Sequence, residues 1–210
     1  MELNLAGKSV IVTGGGSNIG RAISLAFARE KVHLTIAEID EGQAKKVVAE
    51  AEGQGAASAT SVATDVSKWE SVVAMVKGVE GRRGQVDVLV NNVGWTHDRL
   101  FVEKERAEWG KEIQLNLWGM INCTRAVLDG MIARKSGAIV SLGSDAGRMG
   151  EFREGVYAAC GFSGHGFMQS PAVGRALAAE ILGAASPLDL TPYRLERFAG
   201  EVVFPEELVL

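Results

Sequence analysis

The sequence predicts an α/β fold built on a doubly wound parallel sheet. Short apolar runs alternate with longer segments whose apolar residues recur at helical spacing. A glycine-rich turn at residues 13–20 joins the first apolar run to the first helical segment. Strands and helices that alternate in this way are typical of a parallel sheet with helices on both faces. The length of 210 residues suits one substantial domain with an appendage.

Composition and charge narrow the function classes. The net charge is −4 and no run of Lys and Arg stands out, so neither nucleic acid nor a membrane surface is expected as a partner. Met1 leads directly toward a strand, and nowhere do about 18 apolar residues follow one another, so we expect neither a signal peptide nor a transmembrane helix. A cytoplasmic location is the expectation.

Cys123 and Cys160 lack the spaced partners of a zinc site and are predicted to be buried free thiols, with no metal site.

The glycine turn follows an apolar run at residues 10–12, so the local pattern predicts strand, turn and helix. Glycines let the backbone approach a pyrophosphate, whose charge then faces the N–H groups and positive dipole end of the helix. An ordinary strand-to-helix turn is the alternative, because a glycine loop alone has little specificity. The candidate cofactor-binding residues of the turn are Thr13, Gly14, Ser17, Asn18, Ile19 and Gly20.

A second strand is predicted at residues 32–37, followed by a helix that Asp40 and Gln43 open in the manner of a capping box. Glu38 closes this strand. In dinucleotide-binding folds, a carboxylate at this place accepts hydrogen bonds from the adenosine ribose and repels the 2′-phosphate of NADP. NAD is therefore favoured over NADP. The alternative is a solvated charge at the strand end.

A third strand is predicted at residues 61–66, ending in Asp65-Val66, with Ser67 and Glu70 as a capping box for the next helix. Asp65 is expected to approach the adenine, and Asp65 and Val66 are cofactor-binding candidates by their place at the strand end.

A fourth, buried strand at residues 86–90 runs into Asn91-Asn92-Val93-Gly94. Adjacent amides can bond to neighbouring backbone and brace the sheet where a cofactor lies, although a plain loop is the alternative. Asn92 and Gly94 are therefore candidates for cofactor binding.

One long helix is predicted at residues 103–134, with Asn116 among residues expected to be buried or half-buried. A fifth strand at 138–142 precedes Ser144, and Tyr157 is expected on the helix that follows. A hydroxyl and a phenol at the carboxyl edge of such a sheet can both point at a substrate carbonyl.

Residues 1–160 closely resemble the short-chain dehydrogenase/reductase family, on motifs that occur in order: Thr13-Gly14 with Gly20, Asp65-Val66, Asn91-Asn92-Val93-Gly94, Asn116, Ser144 and Tyr157. The resemblance implies a Rossmann-like fold and NAD-dependent interconversion of hydroxy and keto substrates. By resemblance, Ser144 orients the carbonyl, Tyr157 exchanges a proton with it, and Asn116 supports a proton-relay water. Asn18 replaces a family glycine, and asparagine tolerates left-handed dihedrals best among the other residues.

The family's Tyr-x-x-x-Lys pattern is broken, because Gly161 stands four residues after Tyr157. In the family this lysine binds the nicotinamide ribose and lowers the tyrosine pKa. A free phenol titrates near 10, so roughly one tyrosine in a thousand is ionised at neutral pH without help. No substitute cation is evident, since every lysine lies at or before Lys135.

The chain changes character after residue 160, and all four prolines follow Tyr157. Residues 161–198, with a predicted helix at 171–183, resemble the carboxyl-terminal segment of FAD-dependent oxidases of the D-amino-acid oxidase and sarcosine oxidase type. Only that fragment of the oxidase pattern is present, so FAD binding is not expected. The sequence thus predicts an NAD-binding domain at 1–160 and an atypical segment at 161–210. The change suggests a chimera of recombinant, engineered or frame-disrupted origin. The sheet is expected to be truncated or remodelled at its C-terminal end.

Two functions stay open on this basis. The first is an NAD-dependent oxidoreductase that interconverts a secondary alcohol and a ketone and is impaired by Gly161. The second is a non-catalytic dinucleotide-binding protein or scaffold, and a flavoprotein fragment ranks third. Family members pair through long helices, which leaves a homo-oligomer open.

Overall fold

The computed structural model describes residues 3–97, 103–143, 150–153, 156–159, 174–176, 178–179 and 185. Ser144 and Cys160 lie outside the described residues. The chain divides into two compact units, Met1–Ser141 and Leu142–Leu210. None of the helices in the described ranges combines the length and apolar character needed to cross a bilayer.

The first unit is built around five strands: β1 (Ser9–Thr13), β2 (His33–Glu38), β3 (Ser58–Ala63), β4 (Val88–Asn91) and β5 (Ala138–Leu142). All neighbouring pairs are parallel, in the order β3-β2-β1-β4-β5. The chain adds β2 and β3 on one side of β1 and then returns to add β4 and β5 on the other. The predicted doubly wound parallel sheet is confirmed. The order in which strands are added reverses between β1 and β4, although all strands point the same way.

The helices that accompany these strands are α1 (Asn18–Arg29), α2 (Glu41–Gly53), α3 (Trp69–Arg83), α4 (Arg106–Ile113) and α5 (Gly119–Arg134). A π-helical segment, Gln114–Trp118, joins α4 to α5. The single long helix predicted at 103–134 is therefore observed as one continuous helical run, the α4–α5 run, which begins three residues later, at Arg106, and ends at Arg134. Short π-helical turns inside such runs are frequent at functional sites.

The core of the first unit lies around its central strands. Every residue of β1 is buried, as expected for a parallel strand covered on both faces. Strands β1 and β4 share one apolar cluster with α3 and α5, which includes Ile11, Val72, Met75, Val79, Leu89, Cys123, Val127 and Met131. Cys123 is a free, fully buried thiol as predicted, and burial raises its pKa to about 12.

The third strand lies three residues earlier than predicted. The hydrogen-bonded stretch is β3 at Ser58–Ala63, not 61–66. Pairing with β2 decides this, because the register ends with Ala63 opposite Glu38. Asp65 and Val66 therefore belong to the loop after the strand.

The two predicted capping boxes have different outcomes. Asp40 is the N-cap of α2, and its carboxylate accepts hydrogen bonds from the backbone N–H and side-chain amide of Gln43, at 3.0 and 3.2 Å. The box of Ser67 and Glu70 was wrong. Lys68 is the N-cap of α3 and makes no side-chain capping bond, because the Ser67 side chain bonds to a carboxylate before the helix.

The second unit contains an antiparallel pair, β6 (Gly150–Arg153) and β7 (Val156–Ala159), with Tyr157 opposite Glu151. Tyr157 was predicted on a helix, and that prediction was wrong. Three glycines between residues 161 and 166 would each cost a continuing helix about 1 kcal/mol, whereas Val and Tyr favour a strand. Residues 174–176 and 178–179 are helical, within the predicted range of 171–183.

Candidate functional site

The glycine turn connects β1 to α1 in the geometry of an anion site. Gly14 has φ of 62° and Asn18 of 47°, so Asn18 does take the left-handed conformation for which a glycine would be the usual choice. Ser17 is the N-cap of α1, and its side chain makes no capping bond. The first turn of α1 has no acidic residue. Its N–H groups and positive dipole end are therefore available to an anion.

Two glycines of the turn are required by close packing. A Cβ on Gly20 would lie 2.0 Å from the Gly14 carbonyl oxygen and 2.6 Å from Asn92 Nδ2. A Cβ on Gly15 would lie 2.8 Å from Ser24 Oγ. Helix α1 can approach the turn and the sheet this closely only because side chains are missing at these positions.

Thr13 and Asn92 join the turn to the loop after β4, across the point where the sheet reverses. Thr13 Oγ1 donates to the Val90 carbonyl at 3.1 Å and accepts from the Asn92 N–H at 3.0 Å. The Asn92 side-chain amide donates to the carbonyls of Thr13 and Gly14, at 3.0 and 3.1 Å. Ligands of open α/β sheets bind at this reversal.

Glu38, at the carboxyl end of β2, lies against the glycine turn. Its Oε2 accepts from the Gly16 N–H at 3.1 Å. Its Oε1 accepts from the N–H groups of Ile39 and Asp40, at 2.9 and 3.4 Å. The carboxylate is thus held beside the amino end of α1 by backbone donors alone.

Asp65 and Val66 are engaged in contacts within the chain. Asp65 Oδ1 accepts from the hydroxyl and the N–H of Ser67, at 2.6 and 3.0 Å, and its carboxylate pairs with Lys68. The Ser67 hydroxyl is the main cause that lowers the Asp65 pKa. Val66 is 4% exposed, and its carbonyl accepts from Asn122. A cofactor role for Asp65 and Val66 stays a prediction.

Asn116 lies in the π-helical segment and holds the loop after β4. Its Oδ1 accepts from the Trp95 N–H and its Nδ2 donates to the Trp95 carbonyl, both at 2.7 Å. A Cβ on Gly94 would lie 3.4 Å from Asn116 Oδ1. Asn116 is exposed, so the expectation of a buried or half-buried amide was wrong. Its partner is an exposed loop backbone and not a packed core.

The sequence singled out neither Asn91 nor Glu112 for these contacts. Asn91, 5% exposed, donates to Thr124 Oγ1 and Ser141 Oγ at 3.0 and 3.1 Å, which ties β4 to α5 and β5. Glu112 collects three donors from the loop region after β4. The only signal for Glu112 is its position four residues before Asn116, which gives both side chains one helix face.

The structure brings Thr13, Gly14, Gly20, Asn92 and Glu38 together at the turn, and Gly94 next to Asn116. Ser144 lies outside the described residues. Tyr157 lies on β7 of the second unit. No group of three His, Cys, Asp or Glu in the described part of the chain could hold a metal ion.

A protein-family model described as short chain dehydrogenase matches residues 8–178. The chain belongs to the short-chain dehydrogenase family. Members of this family bind a nicotinamide dinucleotide and act on small molecules. The match continues past residue 160, where the predicted resemblance ended, and no comparison bears on the oxidase resemblance or on a chimeric origin.

Curated relatives and solved structures agree with this assignment. A 3-oxoacyl-(acyl-carrier-protein) reductase FabG from Staphylococcus epidermidis is 37% identical over 153 residues, which is 72% of this chain and 62% of the relative. The reductase of the same name from Thermotoga maritima is 34% identical over 157 residues, or 75% of this chain and 63% of the relative. This chain therefore spans somewhat less than two thirds of the length of these relatives.

Two crystal structures show the same fold. The structure of gox2181 has a TM-score of 0.65 and 35% identity, covering 68% of this chain and 56% of that one. A short-chain dehydrogenase/reductase from Burkholderia xenovorans, described as putative, has a TM-score of 0.64 and 33% identity, covering 67% and 55%.

Proposed function

We propose that this chain binds NAD at the glycine turn and uses it to interconvert a secondary alcohol and a ketone. The observation that carries the proposal is the contact between the Glu38 carboxylate and the Gly16 N–H, at 3.1 Å. It sets an acceptor for ribose hydroxyls directly beside the amino end of α1.

The residues present fit a nicotinamide dinucleotide. The first turn of α1 contains no acidic residue of its own, and its N–H groups supply the positive helix end that a pyrophosphate needs. The Ser17 hydroxyl makes no capping bond and can donate to a phosphate oxygen. Gly14 and Gly20 let the turn, α1 and Asn92 pack closely together at this helix end.

NAD is preferred to NADP on grounds of charge. Ribose hydroxyls can donate to Glu38, whereas a 2′-phosphate would face its negative charge and needs a nearby cation. Residues 13–20 contain no Lys or Arg, and Glu38 is followed by Ile39 and Asp40. Arg21, just after the turn, pairs with Glu50 of α2.

The proton chemistry is assigned by family resemblance. The bound nicotinamide would accept a hydride from the alcohol carbon, or return it to the ketone. Tyr157 takes the hydroxyl proton during oxidation and gives it back during reduction, while Ser144 donates a hydrogen bond to the same oxygen. Asn116 supports the proton relay. The relatives are named as 3-oxoacyl-(acyl-carrier-protein) reductases, so 3-oxoacyl thioesters are the first keto substrates to test.

Cofactor choice is tested by titrating NADH and NADPH against tryptophan fluorescence. We expect NADH to bind more tightly. Replacing Glu38 by serine removes hydrogen bonds to a charged group, each worth about 1.5–3 kcal/mol, so NADH affinity should fall by roughly 10- to 100-fold. Glu52→Ser, at an exposed acid near the far end of α2, is the control. Equal affinity for both nucleotides would contradict the NAD preference, and binding of neither would contradict the function.

Turnover is tested by restoring the missing cation. Gly161→Lys restores the family's Tyr-x-x-x-Lys pattern, in which the ammonium lies near the phenol and favours the phenolate, so it should raise the rate of ketone reduction at neutral pH. Gly161→Met supplies a side chain of similar length without charge and should not. Unchanged turnover in Gly161→Lys, with NADH still bound, would show that this lysine is not the missing part.

Gly161 itself favours a second candidate, a non-catalytic dinucleotide-binding protein. That candidate predicts tight NADH binding with no turnover in the unaltered chain. The same titration and rate measurements separate it from a working oxidoreductase.

We also propose that two copies pair through the α4–α5 run. Ile113, Leu117 and Ile121 are spaced by four residues along it and are 54, 47 and 39% exposed. Exposed apolar side chains in one row favour a partner surface of the same kind. Light scattering should give a dimer that Leu117→Glu converts to a monomer, and a monomeric unaltered chain would refute the pairing.

A further inference from the structure

Three polar side chains on one face of the α4–α5 run hold the loop after β4. Glu108, Glu112 and Asn116 are spaced by four residues and so lie one above another along the helix. Glu108 contacts the ring of His97, and Asn116 contacts the backbone of Trp95. Residues 95–97 therefore run in the direction opposite to the helix. Glu112 lies between Glu108 and Asn116.

Glu112 collects three donors on one oxygen. Its Oε1 accepts from Thr96 Oγ1 at 2.9 Å, from the His97 N–H at 3.0 Å and from Lys104 Nζ at 2.6 Å. The Lys104 ammonium is the largest cause that lowers the Glu112 pKa to about 2. Both side chains are mostly buried, 12% exposed for Lys104 and 19% for Glu112. The carboxylate is therefore ionised and fixed in place at neutral pH.

The held loop borders the place where the sheet reverses direction. It leaves β4, the direct neighbour of β1, at the carboxyl edge where α/β sheets bind their ligands. The Asn92 side chain touches the glycine turn, so the start of the loop lies beside the proposed phosphate site. Residues 95–97 follow along the chain and contact the α4–α5 run.

We infer that Glu112 is a positioning residue for the hydroxy or keto substrate, because it fixes a loop that leaves β4 at the carboxyl edge of the sheet, where such folds bind their ligands. The inference rests on the proposed function. Glu112 acts through Thr96 and His97 and not by touching the substrate. Asn116 holds only the backbone of Trp95, so without Glu112 the Thr96 hydroxyl and the His97 N–H lose their acceptor, and only the His97 ring stays bonded to the helix, at Glu108.

The effect on catalysis is measured with Glu112→Ala. Misplacing a substrate by about 1 Å can cost up to about 100-fold in rate, so kcat/KM for ketone reduction should fall by about 10- to 100-fold, mostly through kcat. The Kd of NADH should change less than about twofold, because its affinity follows groups at the turn. Asp129→Ala removes the carboxylate of an exposed ion pair with Arg125 on α5 and is the matched control.

Hydrogen exchange tests the clamp without turnover. The His97 amide donates to Glu112, so its exchange should speed up by about tenfold or more in Glu112→Ala. The Trp95 amide, which donates to Asn116, should keep its protection. Unchanged exchange at His97 would overturn the inference.

A third comparison distinguishes loss of substrate positioning from the cost of leaving the Lys104 ammonium without its carboxylate partner. If the loss came only from an unpaired Lys104, the double variant Lys104→Met/Glu112→Ala would recover the kcat/KM of the unaltered chain, and this recovery would overturn the inference. We expect the double variant to stay impaired. Glu112→Gln keeps an acceptor oxygen for Thr96 and His97 and should recover most of kcat.

The two levels of the proposal fail differently. A chain that binds no NADH or reduces no ketone refutes the proposed function, and the positioning role with it. An active chain whose kcat/KM survives Glu112→Ala refutes the positioning role alone.

Discussion

Replacing Thr13 by valine removes one hydroxyl from the point where β1 meets the loop after β4. Thr13 is 1% exposed, and valine has nearly the same shape, so the packing of β1 is kept. The hydroxyl donates to the Val90 carbonyl and accepts from the N–H groups of Asn92 and Val93, at 3.1, 3.0 and 3.4 Å. Valine offers none of these contacts.

The size of the loss follows from this hydrogen-bond count. One lost hydrogen bond costs about 1 kcal/mol, and a buried N–H left without an acceptor costs about 1–3 kcal/mol. The Asn92 N–H loses its close acceptor, while the 3.4 Å contact from Val93 contributes little. We therefore expect Thr13→Val to lower the free energy of unfolding by about 2–4 kcal/mol.

Urea unfolding, followed by tryptophan fluorescence and extrapolated linearly to water, measures this loss. Thr35→Val is the matched control on the neighbouring strand β2. Thr35 is 5% exposed, and its hydroxyl makes one long contact, 3.4 Å to Thr60 Oγ1. This control should cost less than about 1 kcal/mol. Equal losses in the two variants would refute the view that Thr13 braces the two loops.

Three more predictions concern single residues. Gly20→Ala should abolish NADH binding, measured by fluorescence titration, because its Cβ would lie 2.0 Å from the Gly14 carbonyl oxygen; retained binding would contradict the required close approach. Cys123, in a Cys160→Ser background, should react with a thiol reagent only after urea unfolding, since burial raises its pKa to about 12; fast labelling of the folded protein would contradict this. The Glu112 pKa is lowered from 4.5 to about 2, so its stabilising effect is complete above pH 4.5 and is lost as the pH falls toward 2. The stability difference between the unaltered chain and Glu112→Gln should shrink over that window, and a constant difference would contradict it.

Strands whose apolar run is bounded by glycines could be predicted from the sequence, and strands without such bounding residues could not. β5 is predicted to the residue, since glycines bound its apolar run at 137 and 143. β3 has hydroxyl residues at three of its six positions and little alternation, so only its register with β2 reveals where it begins. The helix expected at Tyr157 was inferred from its place after the fifth strand, whereas the glycines that follow favour other local structure.

In the candidate site too, residues with a local sequence pattern could be predicted, and contacts between distant residues could not. The glycine turn and Glu38 have local signatures, a strand followed by glycines and an acid at a strand end. The bond from Gly16 to Glu38 joins residues 22 apart, and that from Asn92 to Thr13 joins residues 79 apart. Such partners follow from the parallel strand order, which no local pattern contains. Glu112 has no local signature beyond its position four residues before Asn116, because its contacts depend on where the loop after β4 runs.

On the proposed function, cofactor binding and turnover draw on different parts of this chain. The side chains that fit a dinucleotide lie between residues 13 and 94 and are braced by hydrogen bonds among β1, β2 and the loop after β4. Two of the groups assigned to proton transfer, Ser144 and Tyr157, follow residue 141, as does the glycine that replaces lysine. A defect at Gly20 should therefore remove binding and turnover together, whereas Gly161→Lys should change turnover and leave binding in place. Inactivity alone cannot distinguish a scaffold from an impaired enzyme, so NADH affinity has to be measured before rates are interpreted.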